Sequence, residues 1–144
     1  MRREAGFTLV ELMVVIAILG ILAVTAIPLF GTYRQRAYGA QATALAKQLV
    51  DGEIMYYLAN NKFVPETDQS ITIHQDAVLP NSDAQNIYDK LNVQLPLNGV
   101  FTYGFQNVAD ESLVITIQAP FSLYKNGNAH VMIELSKDGR AEYY

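Results

Sequence analysis

Glu11 is an ionisable carboxylate set among Val10, Leu12, Met13 and Val14, at the head of an apolar run. An acid at membrane depth costs about 2.5 to 3.5 kcal/mol on insertion scales, so it is normally paired or functional. The ordinary alternative is a carboxylate that snorkels to the lipid headgroups from the end of the segment. The other reactive side chains offer less. His74 and His130 are the only histidines, one in an expected loop and one in an expected strand, with no partner at ligand spacing, so no metal site is expected. Asp83, Asp89, Asp110, Glu111 and Asp138 fall in or near turns without the alternating oxygen ligands of a calcium loop, and they read as solvated turn acids. Ser112, Ser122 and Ser136 lack a nucleophile-elbow setting, and residues 99–104 lack a phosphate-loop pattern. The chain has no cysteine, which excludes disulfides, thiolate nucleophiles, iron-sulfur clusters and most structural zinc sites. No catalytic residue and no cofactor are expected, so the chemistry to be explained is electrostatic.

The element that must position Glu11 is the apolar run itself. Residues 12–30 carry no charge, and as a helix at 1.5 Å per residue they span roughly 28 Å, the thickness of a bilayer core. Ahead of Gly6-Phe7-Thr8-Leu9-Val10-Glu11 lie only a few residues, whose Arg2 and Arg3 belong on the cytoplasmic side by the positive-inside bias. An ordinary secretory signal is cut after its apolar run, whereas here the small residues at 23–27 lie within it and helical patterning continues beyond. A plain signal-anchor helix stays open on these grounds. The 144 residues suggest one domain, and a net charge of -4 disfavours a surface that binds nucleic acid phosphates.

The stretch GFTLVELMVVIAILGILAVTAIPLF resembles the N-terminal signature of class III signal peptides in type IV prepilins and the related pseudopilins. The likeness covers roughly residues 1–55 and includes the short basic leader, Gly6, Phe7, Glu11, Gly20 and Pro28. It implies that a membrane-embedded aspartic prepilin peptidase cuts between Gly6 and Phe7 and methylates the new amine of Phe7. The mature chain then keeps its apolar segment, and loss of Arg2, Arg3 and Glu4 leaves 8 basic against 13 acidic side chains. An amine and a carboxylate held near an apolar environment attract each other more strongly than in water. Phe7 and Glu11, four apart, pair within one helix, or Glu11 neutralises a neighbour's amine and fixes the axial register.

Gly20 and Pro28 mark an expected helix break, since glycine costs about 1 kcal/mol against alanine and proline lacks the donor for the Val24 carbonyl. The Thr25 hydroxyl or a neighbouring helix is the expected replacement partner. A lone helix stays continuous on this reading while an assembled one stretches. Beyond Pro28 the pattern turns amphipathic: Tyr38, Ala42, Leu45, Leu49, Gly52, Tyr56 and Ala59 recur at spacings of four and three, with Lys47, Asp51 and Glu53 on other faces. The helix is expected over residues 8–59, stopping at Asn60-Asn61. Next come a short strand at Ile71-Thr72-Ile73, a helix opened by a Ser82/Gln85 capping box, and strands at 100–106, 113–119, 129–135 and 141–144. Turn chemistry stands at 107–110, Asn126-Gly127 and Asp138-Gly139. The fold class is α+β, a long N-terminal helix whose C-terminal half packs on a small antiparallel head sheet of three or four strands, the type IV pilin fold. The expected divisions are a leader at 1–6, a membrane or filament-core segment at 7–30, an amphipathic helix half at 31–60 and a globular head at 61–144.

The resemblance implies a structural subunit of a type IV pilus, held in the inner membrane as precursor and monomer and extracellular once assembled. Its implied partners are identical subunits in a helical filament, the prepilin peptidase, the inner-membrane assembly platform and, before assembly, the membrane crossed once; nucleic acid is not expected. A major pseudopilin of a type II secretion system shares the same N-terminal segment. Phe7, Phe30, Tyr33, Tyr38, Tyr57 and Phe63 are similar in order to the aromatic set of electrically conductive pilins, although the short conductive pilins lack a head of this size. Rings at helical spacing ordinarily serve packing. A DNA-uptake module is disfavoured by charge unless Lys125 and its neighbours form a local patch.

Overall fold

The computed structural model describes residues 6–109 and 111–144. Residues 1–5, with Arg2 and Arg3 of the expected leader, and Asp110 of the expected turn lie outside the described residues. The elements run α1 (Leu9–Asn60), β1 (Ser70–Ile73), α2 (Ser82–Leu91), β2 (Thr102–Val108), β3 (Ser112–Gln118), β4 (His130–Ser136) and β5 (Ala141–Tyr143). The chain divides between Gln35 and Arg36 into two compact units.

In the first unit α1 runs without interruption through Gly20 and Pro28. Proline's fixed φ suits a helix, while its ring removes the hydrogen bond to the Val24 carbonyl and crowds that carbonyl, at a cost of about 3 kcal/mol. Thr25 Oγ1 does not replace it: it donates to the Leu22 carbonyl at 2.9 Å, while Thr32 Oγ1 donates to that of Pro28 at 3.4 Å.

The second unit, Arg36–Tyr144, carries the core. Its sheet has five antiparallel strands in the order β1-β2-β3-β4-β5, one or two more than expected. Short turns predict the neighbours β2 to β5, but β1 joins β2 across a connection that contains α2, which turn chemistry cannot register. Pairing Ile73 with Tyr103 and Ile71 with Phe105 fixes its register. Strict alternation places Tyr103, Phe105, Leu113, Ile115, Ile117, Val131, Ile133 and Leu135 on the buried face. They share one core with Ala42, Leu45, Ala46, Leu49 and Val50 of α1 and Ala84, Ile87 and Leu91 of α2.

Local signals shift by a residue or two. The cap of α2 is Asn81, whose Oδ1 accepts the Ala84 N–H at 2.8 Å, rather than Ser82; Gln85 instead donates to Asp89 Oδ1. Asn107 and Val108 belong to β2, so the expected turn at 107–110 begins later. The β4-β5 hairpin turns where expected, with Gly139 at φ 81 and Asp138 Oδ1 accepting the Arg140 N–H.

The buried seam of α1 keeps Ala42, Leu45 and Leu49, leaves Tyr38, Gly52 and Tyr56 half-buried and exposes Ala59. Glu53, expected on another face, is fully buried. Spacings of four and three average 3.5 residues per turn, and the true period of 3.6 rotates the seam away from them. Three such turns past Ala42 end at position 53.

Gly39 sets how closely the loop after β3 approaches α1. A Cβ at this position would stand 2.8 Å from the Leu123 carbonyl oxygen. Tyr124 OH donates to the Gly39 carbonyl at 3.3 Å and lies 2.8 Å from Thr43 Oγ1. Gly39→Ala gains about 1 kcal/mol of helix propensity, but overpacking costs about 1 to 3 kcal/mol. Net destabilisation of about 1 kcal/mol is expected in denaturant unfolding of the full chain in detergent micelles; equal or higher stability would show that the loop moves aside without cost.

Candidate processing and assembly site

Thr8 and Glu11 form a reciprocal hydrogen-bonded cap at the start of α1. The Thr8 N–H and the Thr8 Oγ1–H both donate to Glu11 Oε2 at 2.9 Å, and the Glu11 N–H donates to Thr8 Oγ1 at 3.2 Å. With α1 beginning at Leu9, Thr8 is the N-cap and Glu11 the third helical residue, the geometry of a capping box. A carboxylate there also meets the positive end of the helix dipole. In this structure the Glu11 carboxylate is therefore engaged by Thr8, and the Phe7 nitrogen is a peptide amide. Thr8 is the residue that the reading of Glu11 passed over, although the pattern Thr8-Leu9-Val10-Glu11 ahead of an apolar run is itself the signal.

Gly6 and Phe7 precede the helix in exposed, non-helical backbone. Phe7 is 88% exposed and lies before the cap, so it is not on the helix, and the expected pairing of positions 7 and 11 within one helix does not have helical geometry to support it. All side chains at 9–30 are exposed, and α1 is long and apolar enough to cross a membrane.

The structure does not gather the six aromatic positions in one way. Phe7, Phe30 and Tyr33 are exposed in the first unit. In the second, Tyr38 packs edge-on to Phe101 at 6.1 Å and against Phe121 at 5.4 Å, and Tyr57 stacks on Phe63 at 4.6 Å. These are packing contacts of helix rings with the head. His74 and His130 are exposed, and among the described residues no three His, Asp or Glu side chains gather to hold a metal ion. Glu111 is held by Lys137 at 2.6 Å, a contact that raises the pKa of the lysine.

Residues 1–27 match the prokaryotic N-terminal methylation motif. The chain is 40% identical over 99 residues to the type IV major pilin protein PilE1 of Neisseria gonorrhoeae, covering 69% of this chain and 56% of that protein. It is 43% identical over 63 residues to the type IV wide pilus major component PilA4 of Thermus thermophilus, covering 44% and 48%. The type II secretion system core protein G of Aeromonas hydrophila is 41% identical over 70 residues, covering 49% and 48%. The chain spans about half the length of these relatives. No solved structure matches it significantly. The chain thus carries a class III signal motif, and its homologues are type IV pilins, structural proteins rather than enzymes, with a secretion core protein also similar. Motif and apolar helix are together consistent with a membrane or pilus location.

Proposed function

We propose that this homologue of the type IV pilins is the structural subunit of a type IV pilus, made as a precursor, cut between Gly6 and Phe7, methylated at Phe7 and assembled from the inner membrane into a helical fibre. Residues 1–6 are the leader on this reading, 7–30 the membrane segment that becomes the filament core, 31–60 the amphipathic helix half and 61–144 the head. The observation that carries the reading is a capped carboxylate at the head of a helix whose apolar side chains over residues 9–30 are exposed on every face. Such a surface is stable in lipid or against copies of itself. Apolar helices leave lipid for a bundle of like helices, and the charge of Glu11 meets the new Phe7 amine of a neighbour. Such head-to-tail contacts do not close, so they propagate. Gly20 and Pro28 supply the weak point at which a helix can stretch within that bundle. The peptidase and the inner-membrane platform are the partners that this route requires.

Mass spectrometry of purified filaments is expected to show a chain that starts at methylated Phe7; intact residues 1–6 in assembled fibres would overturn the reading. The likeness to a secretion core protein favours one alternative, a pseudopilin that forms a short periplasmic fibre. Deleting this chain separates the two: loss of long surface filaments supports the pilus, and loss of secretion with filaments intact supports the pseudopilus.

Conduction through the rings is the reading of another class, and the packing of Tyr38 and Tyr57 argues against it. Replacing Tyr33, Tyr38 and Tyr57 with leucine is expected to leave the axial conductivity of normal-looking filaments unchanged. A fall by orders of magnitude would restore the aromatic array.

A further inference from the structure

Glu53 is the only charged side chain that is fully buried among the described residues. Its Oε2 accepts the Val64 N–H at 3.1 Å, while its Oε1 is buried without a hydrogen-bond partner. Val64 lies in the connector, residues 61–69, that leads from α1 to β1. Asn107 Nδ2 holds the next carbonyl, that of Pro65, at 2.9 Å, so the connector is tied to α1 through Glu53 and to β2 through Asn107. On the far side α2 packs close, since a Cβ on Gly52 would lie 3.0 to 3.3 Å from Leu91 and Val93. Of the charged groups on the neighbouring elements, Asp51 of α1 and Lys62 and Glu66 of the connector are exposed, and Asp89 of α2 is exposed and bonded to Gln85. Lys90 of α2, half-buried, is the one charge felt at Glu53, and it forms no ion pair with it among the described residues.

A neutral carboxyl in this place leaves one polar atom unpaired, whereas a carboxylate leaves an unpaired charge, which is far more costly. We propose that Glu53 is a protonation-controlled latch: in its neutral form it stays in the core and holds the connector on α1, and on ionisation it leaves for water, so that Val64 loses its acceptor and this corner of the head loosens. Burial pushes the pKa of Glu53 up to about 8, with the Val64 N–H and Lys90 opposing. Because the folded value lies above the unfolded one, the stabilising contribution is complete below about 4.5 and is lost as pH rises toward about 8.

The test uses the full chain in detergent micelles. The unfolding constant of the wild type, relative to Glu53→Gln, is expected to rise up to tenfold per pH unit between about 5 and 8. Glutamine keeps an acceptor for Val64 and cannot ionise, so it serves as the flat reference. Hydrogen exchange at the Val64 amide is expected to accelerate over the same range beyond the intrinsic pH effect. Should Glu53→Gln fail to fold, the carboxyl resonance of Glu53 in the wild type decides. Titration near 8 supports the latch; titration near 4.5, or parallel profiles for the two chains, overturns it.

Discussion

Chains carrying Glu11→Ala are expected to insert and to be cut normally, yet to build few or no filaments alone. Removing an acid from the first turn of an apolar segment favours the monomer in the bilayer by about 2 kcal/mol, somewhat below the helix-centre value of the insertion scale. Against this, losing the carboxylate that accepts both Thr8 donors costs about 1 kcal/mol of helix capping. The balance leaves the membrane-bound monomer at least as stable, so a stability argument predicts no harm. Assembly predicts the opposite, because every subunit entering the fibre brings a Phe7 amine with no carboxylate to meet it. Thr8→Ala separates pairing from capping: it removes the hydroxyl that caps Glu11 and keeps the charge. Filaments from Thr8→Ala and none from Glu11→Ala identify the charge as the agent of register, with partial rescue when the Glu11 variant is co-expressed with wild type. Abundant regular filaments from Glu11→Ala alone would assign register to apolar packing. Equal loss in both variants would assign it to the cap.

What the sequence made legible was whatever depends on neighbours close along the chain. The apolar run, the stop of α1 at Asn60 and Asn61, the alternation of Leu113, Ile115 and Ile117, and the turn at Asp138-Gly139 are all local, and the structure has each of them. The cap at Thr8 was equally local, but Glu11 drew attention as a charge in need of a cation, and a hydroxyl three residues away supplies its donors instead. Glu53 was hidden for a different reason. Its place on the seam depends on the small difference between 3.5 and 3.6 residues per turn, accumulated over three turns, and its acceptor role depends on a backbone N–H eleven residues further on. The fifth strand required knowing that the chain returns after α2 to lie beside β1, a tertiary event with no signature in residues 70–73. The stretch proposed at Gly20 and Pro28 depends on neighbours of the helix rather than on its own sequence, and a single chain offers none.

Gly6→Val is expected to halt processing while leaving the precursor's own structure untouched. Among the described residues nothing lies within 4 Å of a Cβ built on Gly6, and the backbone there is exposed and non-helical, so there is room for a branched side chain. Any effect must then arise where this residue meets the peptidase, whose subsite beside the cut has to accept it. A misplacement of a scissile bond by about 1 Å costs about a hundredfold in rate, and a branched side chain at the position before the cut is expected to cause one. Full-length chain is therefore expected to accumulate in the membrane, with Arg2 and Arg3 still attached and without methylated Phe7. On the proposed pairing filaments should be absent, because the nitrogen of Phe7 remains an amide and carries no charge for Glu11 to meet. Gly6→Ala, adding a single methyl group, is expected to be cut more slowly and still to assemble. Undiminished cutting of Gly6→Val would show that the peptidase does not read this position, and wild-type chain retained uncut in the membrane would turn the N-terminal helix into a plain anchor.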